Sequence, residues 1–263
     1  MNVRFLFNPI LFIVLVFAFY SCKKQPGRSE IKTTSSKIIQ TSKGPYNPST
    51  PLYWDLVHTK LEVSFDLTKQ HLLGKATIKV KPHFYSQNTL QLQAKGFDLH
   101  AITYVSGAKI TTYTYDSKNI SITLDKMYSR SDTLTLVIDY TAKPNDLPKS
   151  GSDAITEEKG LYFIDPLNTD PNKPTQIWTQ GETQSSPCWF PTLDSPNQRS
   201  TQEMLITADK KFQVISNGEL IYKTEHADGT ITWNWEMKKA HAPYLFMMAV
   251  GEFAKVTDTW KDM

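Results

Sequence analysis

Two polar side chains, Gln180 and Glu182, lie two positions apart in the stretch TQGETQ, directly after the strand-forming residues QIW. In an extended strand such positions project from the same face, so the spacing predicts an amide carbonyl beside a carboxylate. Their oxygens accept hydrogens from an ammonium group, and the carboxylate adds charge attraction. Gly181 removes side-chain bulk between them and permits close approach of a ligand or backbone. The same spacing is also compatible with a polar strand face turned to solvent.

The histidines do not form a metal-binding pattern, because no two of them stand at ligand spacing. They are scattered along the chain at His58, His71, His83, His100, His226 and His241. The two cysteines, Cys22 and Cys188, fit neither a metal spacing nor a disulfide framework. We interpret Cys188 as an inert, half-buried thiol. The sequence therefore predicts no metal site and no catalytic residue within this chain.

Size and composition indicate a protein with a substantial core. The chain has 263 residues, of which 40% are hydrophobic and 12% aromatic, and its formal net charge is +3. That length suits one large β domain or two small domains. Lysine and arginine are spread thinly, without a dense basic run, which argues against nucleic-acid binding.

The N-terminus has the pattern of an export signal. Arg4 precedes an apolar stretch from Ile10 to Phe19, which is too short to span a bilayer comfortably. Ser21 followed by Cys22 resembles a bacterial lipoprotein signal, which predicts a signal peptide over residues 1–21 and lipidation of Cys22. An ordinary cleaved signal or a short N-terminal anchor is the alternative. Several acyl chains on one cysteine would attach the protein stably to a membrane of the bacterial cell envelope.

Residues 22–50 are rich in Lys, Ser and Thr without sustained periodicity, which predicts a flexible tether. From residue 51 to residue 263 the pattern is typical of β structure. In VHTKLEVSFDL, for example, Val57, Thr59, Leu61 and their successors share one face. The sequence predicts an all-β domain over 51–263, a large antiparallel sandwich or saddle.

Further strand patterns follow, separated by Gly, Asp, Asn and Pro. TLQLQAKGFDLHAITYV (89–105) and TQIWTQGE (175–182) each read as one strand, and residues 142–160 read as a long polar loop. Asn217-Gly218 and Asp228-Gly229 are hairpin signals. HAPYLFMMAVGEFAKV (241–256) contains an apolar run that we expect to be buried on both faces.

The stretch TQGETQSSPCWFPTLDSP, Thr179 to Pro196, resembles the pattern TQ-x-[QE] followed by FPC-x-D-x-P of the aminopeptidase N family of zinc metallopeptidases. Phe190-Pro191, Asp194 and Pro196 match that pattern without a gap. VISNGELI, APYLFMMAVGEF and the opening strands are similar to other parts of the family's N-terminal domain. The similarity runs from about residue 52 to about residue 255.

The resemblance implies a function and a pair of binding residues. In this family the N-terminal domain is a β-saddle that leans on the catalytic domain, and its Gln/Glu pair helps to bind the free α-amino group of a peptide. Gln180 and Glu182 occupy those positions. The chain departs from the pattern at Thr192, where Cys is usual, at Ser195, where an acid is common, and at Pro187, where Arg is frequent.

The family's HExxH and Gly-x-Met-Glu-Asn motifs do not occur in this sequence. The resemblance therefore implies the N-terminal part of a membrane-tethered zinc aminopeptidase, whose zinc and catalytic domain come from sequence not present here. The chain by itself is expected to be inactive. A non-catalytic lipoprotein module that binds a peptide or a glycan is the alternative, and Trp233 and Trp235 could form a sugar platform or a buried face.

Overall fold

The computed structural model describes residues 51–149, 151 and 157–256. The predicted signal peptide, Cys22, the predicted tether and residues 257–263 lie outside the described residues. Within those ranges the chain forms strands and three single-turn 3-10 helices, Pro144–Asp146, Ser186–Cys188 and Pro243–Leu245. The strands are β1 Trp54–Asp66, β2 His71–Pro82, β3 Gln87–Gln93, β4 Phe97–Tyr104, β5 Tyr113–Tyr115, β6 Asn119–Tyr128, β7 Leu134–Ala142, β8 Leu161–Ile164, β9 Gln176–Thr179, β10 Ser200–Asp209, β11 Gln213–Ser216, β12 Glu219–Glu225, β13 Thr230–His241 and β14 Met248–Gly251.

The largest sheet has seven strands in the order β12-β13-β10-β1-β2-β7-β4. All its neighbours pair antiparallel except β1 and β10, which run parallel from His58↔Thr201 to Val63↔Ile206. The predicted antiparallel β architecture is therefore confirmed, with one parallel pair that alternation alone does not reveal. A parallel pair joins strands far apart in sequence, so the middle of this sheet brings the two halves of the chain together.

Two smaller sheets complete the fold, and both are antiparallel. One has four strands in the order β11-β14-β9-β8, and the other has three in the order β3-β6-β5. The inward faces of all three sheets contribute to one hydrophobic core. Its largest fully buried side chains include Trp189, Tyr140, Phe190, Phe246, Leu61 and Leu72.

A β-bulge changes the inward face of β1. The sequence pattern places Val57 on the core side, but the register of β1 against β2 shifts between Leu56 and His58. Leu56 is consequently buried and Val57 only half-buried, while Thr59 and Leu61 keep their predicted inward positions. An extra residue in one strand reverses the alternation on one side of it.

Three other sequence predictions are wrong, the first two because adjacent strands belong to different sheets. Residues 89–105 form β3 and β4, in the three- and seven-stranded sheets, rather than one strand. Asn217-Gly218 connects β11 to β12, also in different sheets, so it is not a hairpin turn, whereas Asp228-Gly229 closes the predicted hairpin between β12 and β13. The apolar run 241–256 is broken by the turn Pro243–Leu245, and Leu245 is exposed.

No helix among the described residues is both long and apolar enough to cross a membrane.

Candidate functional site

The segment that carries Gln180 and Glu182 leaves the sheet just before them. Strand β9 ends at Thr179, and the backbone N–H of Gln180 still donates to the carbonyl of Gly160 at 2.9 Å. The chain then turns, and the N–H of Ser185 donates to the carbonyl of Gly181 at 2.9 Å. The predicted strand through Glu182 is thus wrong. Gln180 is half-buried and Glu182 is exposed at the end of the four-stranded sheet.

The two side chains are connected, though differently from the strand interpretation. The Gln180 side-chain oxygen Oε1 accepts the backbone N–H of Glu182 at 3.1 Å. An amide oxygen has two lone pairs, so one acceptor position and the NH₂ group of Gln180 remain for other partners. Gln180 therefore holds the backbone of Glu182, whose exposed carboxylate can accept hydrogen bonds from a cation.

Gly181 is required by the approach of another segment. A Cβ atom at this position would lie 2.3 Å from the carbonyl oxygen of Tyr244 and 2.8 Å from Oγ of Ser186. Ser186 is itself fully buried, and its hydroxyl donates to the carbonyl of Pro243 at 3.0 Å. The turn after β9 is thereby fixed against the turn that precedes β14.

Replacing Gly181 by alanine is expected to destabilise the protein by about 1–3 kcal/mol, since the added methyl group overlaps backbone that cannot rotate away. Denaturant unfolding measures the change, and Glu182→Ala is the control, because removal of an exposed side chain should change stability by no more than about 0.5 kcal/mol. Equal stability of Gly181→Ala and the control would contradict the close approach of Tyr244.

The outer face of the four-stranded sheet carries a transverse row of apolar side chains beside this turn. Strand register aligns Tyr162 with Trp178, Trp178 with Ala249, and Ala249 with Ile215. Tyr162 and Trp178 stack with ring centroids 4.3 Å apart at 13°. Trp178 and Ile215 remain 37% and 45% exposed, respectively. We name these four residues the outer row. Only the register, which sequence does not give, reveals their alignment.

Behind the turn, the segment Trp189–Asp194 is attached to the end of β3. Thr192 and Gln93 exchange two backbone hydrogen bonds of 2.8 and 3.0 Å. Lys95 adds a backbone bond to the Pro187 carbonyl, and its Nζ donates to the Gln184 carbonyl, both at 2.7 Å. The three-stranded sheet therefore supports the segment that carries Gln180 and Glu182.

Asp194 is more deeply buried than an ordinary turn residue, at 4% exposure. Its backbone N–H donates to Oε1 of Gln93 at 2.5 Å. Its Oδ2 atom has no hydrogen-bond partner among the described residues. Burial raises the pKa of this carboxyl group to about 7, against the opposing effects of the Lys95 charge and the nearby Ser186 backbone N–H. The sequence predicted only a turn or cap hydrogen bond at this position.

Asp194 also lines a cleft of about 570 Å³ between β3, the start of β1 and the loop 193–198. The cleft is also rich in amide side chains, because Gln87, Gln91 and Gln93 of β3 line it. The Asp194 Oδ2 atom itself is inaccessible to solvent. The cleft and the turn at Gln180 thus share a wall, because Gln184 lines the cleft as well.

Two other sequence interpretations concern side chains that prove to be buried. Cys188 is 1% exposed, and burial raises the pKa of its thiol to about 11, which leaves it protonated and unreactive near neutral pH. Trp233 is 4% exposed and belongs to the core, and Lys223 lies over its ring at 3.4 Å. Trp233 and Trp235 therefore do not form an exposed sugar-stacking platform.

Among residues 51–149, 151 and 157–256, no group of three or more His, Cys, Asp or Glu side chains is arranged to hold a metal ion. A zinc ion requires three or four such ligands converging at about 2.0–2.3 Å. The described residues consequently do not fit a zinc site.

Comparison with known proteins identifies the domain. Residues 50–245 match the family model of the peptidase M1 N-terminal domain. An M1 zinc metallopeptidase from Deinococcus radiodurans has a TM-score of 0.62 at 18% identity, and the match covers 76% of this chain and 43% of that one. A mutant of a two-domain M1 zinc metallopeptidase bound to L-tryptophan has a TM-score of 0.63 at 18% identity, covering 78% of this chain and 44% of that one.

A further mutant M1 zinc metallopeptidase from Deinococcus radiodurans, bound to a Tyr-Ser-Ala substrate, gives a TM-score of 0.60 at 16% identity and covers 75% of this chain and 42% of that one. No curated protein sequence matches this chain. The chain spans about two fifths of the length of these solved structures, and at such identities the likeness establishes the fold. With the family model covering most of the chain, this protein belongs to the M1 peptidase family through its N-terminal domain.

Proposed function

We propose that this chain is the substrate-entrance module of a zinc aminopeptidase and that Glu182, held by Gln180, binds the free α-amino group of a peptide. The observation that carries the proposal is the exposed Glu182 carboxylate, at a turn whose backbone is fixed by Gln180 and by the approach of Tyr244 at Gly181. An exopeptidase must distinguish a charged terminus from an internal amide, and a preorganised carboxylate does this by a charge-assisted hydrogen bond.

The recognition step needs only groups of this chain. The ammonium group donates one hydrogen to a carboxylate oxygen of Glu182 and a second to the remaining lone pair of Gln180 Oε1. The Gln180 bond to the Glu182 backbone limits the conformations that the turn can adopt, so less conformational entropy is lost on binding. Positioning the terminus in this way places the first peptide bond at a set distance from the turn.

Zinc and the groups that activate water would belong to a catalytic module outside this chain. We propose that this module packs against the outer row, because Trp178 and Ile215 expose apolar area directly beside the turn. The matched M1 structures, which are more than twice as long as the matched region, provide length for such a module. Exposed apolar rows of this kind are typical of protein interfaces.

We further propose that Cys22 carries a lipid anchor and that residues 22–50 hold the domain away from a membrane of the bacterial cell envelope. A flexible tether of this length averages roughly 30 Å from end to end. The apolar stretch of residues 10–19 and the Ser21-Cys22 pair support this proposal. Metabolic labelling with a palmitate analogue tests it, since Cys22→Ser should abolish incorporation.

Replacement of Glu182 by glutamine in the full-length gene product should lower kcat/KM for aminoacyl p-nitroanilides. Loss of one charge-assisted hydrogen bond corresponds to about 1–3 kcal/mol, or roughly 5- to 150-fold. Steady-state kinetics measures the change, and Glu225→Gln, an exposed carboxylate on β12, is the matched control. A kcat/KM identical to that of the wild type would contradict a role for Glu182 in binding the substrate amine.

The DNA downstream of the Met263 codon distinguishes this function from that of a binding lipoprotein without catalysis. An open frame that encodes Gly-x-Met-Glu-Asn and HExxH supports the aminopeptidase. A stop codon directly after Met263 contradicts it and favours a module that binds peptide or glycan.

A further inference from the structure

Strand β3 is a long sheet edge without a charged side chain. The sheets of the described residues end in the strands β12, β4, β11, β8, β3 and β5. Of these, β5, β8 and β11 have only three or four residues, while β12 carries Glu219, Lys223 and Glu225, and β4 carries Asp98. Short strands and charged side chains protect sheet edges from pairing with other chains. The seven residues of β3, QNTLQLQ, have neither protection.

The hydrogen bonds of β3 identify the backbone groups on its free side. Gln93 exchanges two backbone bonds with Thr192, so its N–H and carbonyl groups point away from β6. Alternate residues of an antiparallel strand direct both groups to the same side, and the register of β3 against β6 is unbroken from Thr89 to Gln93. Thr89 and Gln91 therefore face the free side as well. The indole N–H of Trp54, which donates to the Thr89 carbonyl at 2.8 Å, agrees with this direction.

Gln91 is thereby left with an open donor and an open acceptor. Its backbone N–H and carbonyl groups have no hydrogen-bond partner among the described residues on the side away from β6. The segments that contact this side, at Trp54 and Thr192, continue into the residues that line the cleft of about 570 Å³, and Gln91 lines it too. The two open groups consequently face the cleft, where the backbone of another extended chain would complement them.

Thr192 shows how such a chain would pair with β3. It lies antiparallel to the strand, opposite Gln93. The next residues then leave the edge, since the Asp194 N–H donates to the Gln93 side chain at 2.5 Å rather than to the backbone of β3. The position opposite Gln91, which a continuing strand would occupy, is open to the cleft. Walls formed by residues 51–54 and 193–198 limit the space to a single extended segment and exclude the edge of another sheet.

The side chains around the cleft indicate an uncharged occupant. Amide groups such as those of Gln87 and Gln184 alternate with apolar groups such as those of Leu52 and Leu193. No Lys, Arg or His of the described residues lines the cleft, and the Oδ2 atom of Asp194 is inaccessible to solvent. A charged side chain would therefore lose water there without gaining an opposite charge, which is costly.

We propose that the free edge of β3 is a second peptide-binding site, which takes an uncharged, extended polypeptide segment as an added antiparallel strand opposite Gln91. This inference goes beyond the proposed function, because the site recognises peptide backbone and needs no free amino group. A neutral glycan would contact the amide side chains of the cleft, but it has no alternating N–H and carbonyl groups to match the strand.

The first test uses the peptide acetyl-Ser-Val-Thr-Leu-Ser-amide and the full-length gene product in isothermal titration calorimetry. Acetylation removes the free amine, so the peptide cannot use the amine site, and Glu182→Gln should leave its Kd unchanged. Methylating the backbone nitrogen of one residue at a time should weaken binding about 3- to 10-fold at alternate positions, where an N–H to β3 is lost. Methylation at the positions between them, whose N–H groups point away from β3, should have little effect.

The second test changes the protein. Gln91→Pro removes the free-edge N–H, and proline is tolerated on an edge strand where that N–H faces outward. The variant should fold with a urea midpoint near that of the wild type and bind the peptide about 3- to 10-fold more weakly. Leu92→Pro removes an N–H that faces β6, so its urea midpoint should fall much further. Ser195→Trp, which fills the cleft from its loop, should also weaken binding, whereas Thr114→Trp on the exposed face of β5 is the matched control.

Several results would overturn the inference. They are the absence of saturable peptide binding, a methylation scan without a two-residue period, and binding that Ser195→Trp leaves unchanged. Unfolding of Gln91→Pro to the same extent as Leu92→Pro would contradict the direction assigned to the Gln91 N–H. Binding of chitotetraose in place of the peptide would show that the cleft takes a glycan instead. Peptide binding that persists although Glu182→Gln leaves aminopeptidase kinetics unchanged would contradict the amine site and support the β3 site.

Discussion

Replacing Phe190 by alanine is expected to lower the free energy of unfolding by about 3–5 kcal/mol, the range for a fully buried phenylalanine. The Phe190 ring stacks on Phe246 with centroids 5.3 Å apart at 7°, and the Trp189 ring lies 4.4 Å from it. Phe190 is fully buried, so the cavity left by truncation is lined on several sides. Native domains are typically stable by only about 5–15 kcal/mol, so the variant should unfold at much lower denaturant concentration.

Urea unfolding of the chain followed by tryptophan fluorescence measures this change. Phe84→Ala is the matched control, because the Phe84 side chain is 60% exposed and its ring lies beside Tyr85 and Arg130. The control should change stability by no more than about 0.5–1 kcal/mol. Similar losses in both variants would contradict the assignment of Phe190 to the core.

The strands of the fold could be predicted from sequence where one strand lies between two polar turns. Alternation in β2 and β10, and in β1 after its bulge, gives the inward residues, since a half-buried strand repeats every two positions. Sheet membership could not be predicted in this way. Residues 89–105 read as one strand because Ala94-Lys95-Gly96 interrupts the pattern only briefly, although it carries the chain from one sheet to another.

The parallel pairing of β1 and β10 could not be predicted from the sequence either. Thr59 and Gln202 are partners across about 140 residues, and no local pattern encodes a contact between residues so distant. The bulge at Leu56/His58 is likewise set by the partner strand, so the inward position of Leu56 rather than Val57 appears only in the fold.

The candidate site was predicted in composition but not in geometry. The two-residue spacing of Gln180 and Glu182 predicted that they act together, and they do interact. The contact is a hydrogen bond from the Glu182 backbone N–H to the Gln180 side chain in a turn, rather than a contact between neighbours on a strand. The reason is tertiary: the Tyr244 carbonyl, about 60 residues later, fills the place where a side chain at position 181 would lie. The outer row and the burial of Asp194 likewise depend on segments that meet only after folding.

The contribution of Asp194 to the stability of this domain is expected to fall as pH rises from about 4 to about 7. In the unfolded chain this carboxyl group titrates near 3.8, whereas burial raises its pKa to about 7 in the fold. Between those values the folded state binds the proton more tightly, so protonation favours folding. Above pH 7 both states are ionised and the contribution stays constant at its lowest level.

The size of the effect follows from the shift. A difference of one between the folded and unfolded pKa corresponds to about 1.4 kcal/mol, so the change from 3.8 to about 7 sets an upper limit of about 4 kcal/mol. Relaxation around the charge brings the expected value to about 2–4 kcal/mol. Asp194→Asn cannot titrate. The difference in stability between this variant and the wild type should therefore shift in favour of the variant by that amount between pH 4 and pH 8.

Urea unfolding at half-unit pH intervals tests this expectation, and only the change of the difference with pH matters, since any fixed effect of asparagine cancels. A constant difference across this range would mean that Asp194 titrates alike in both states.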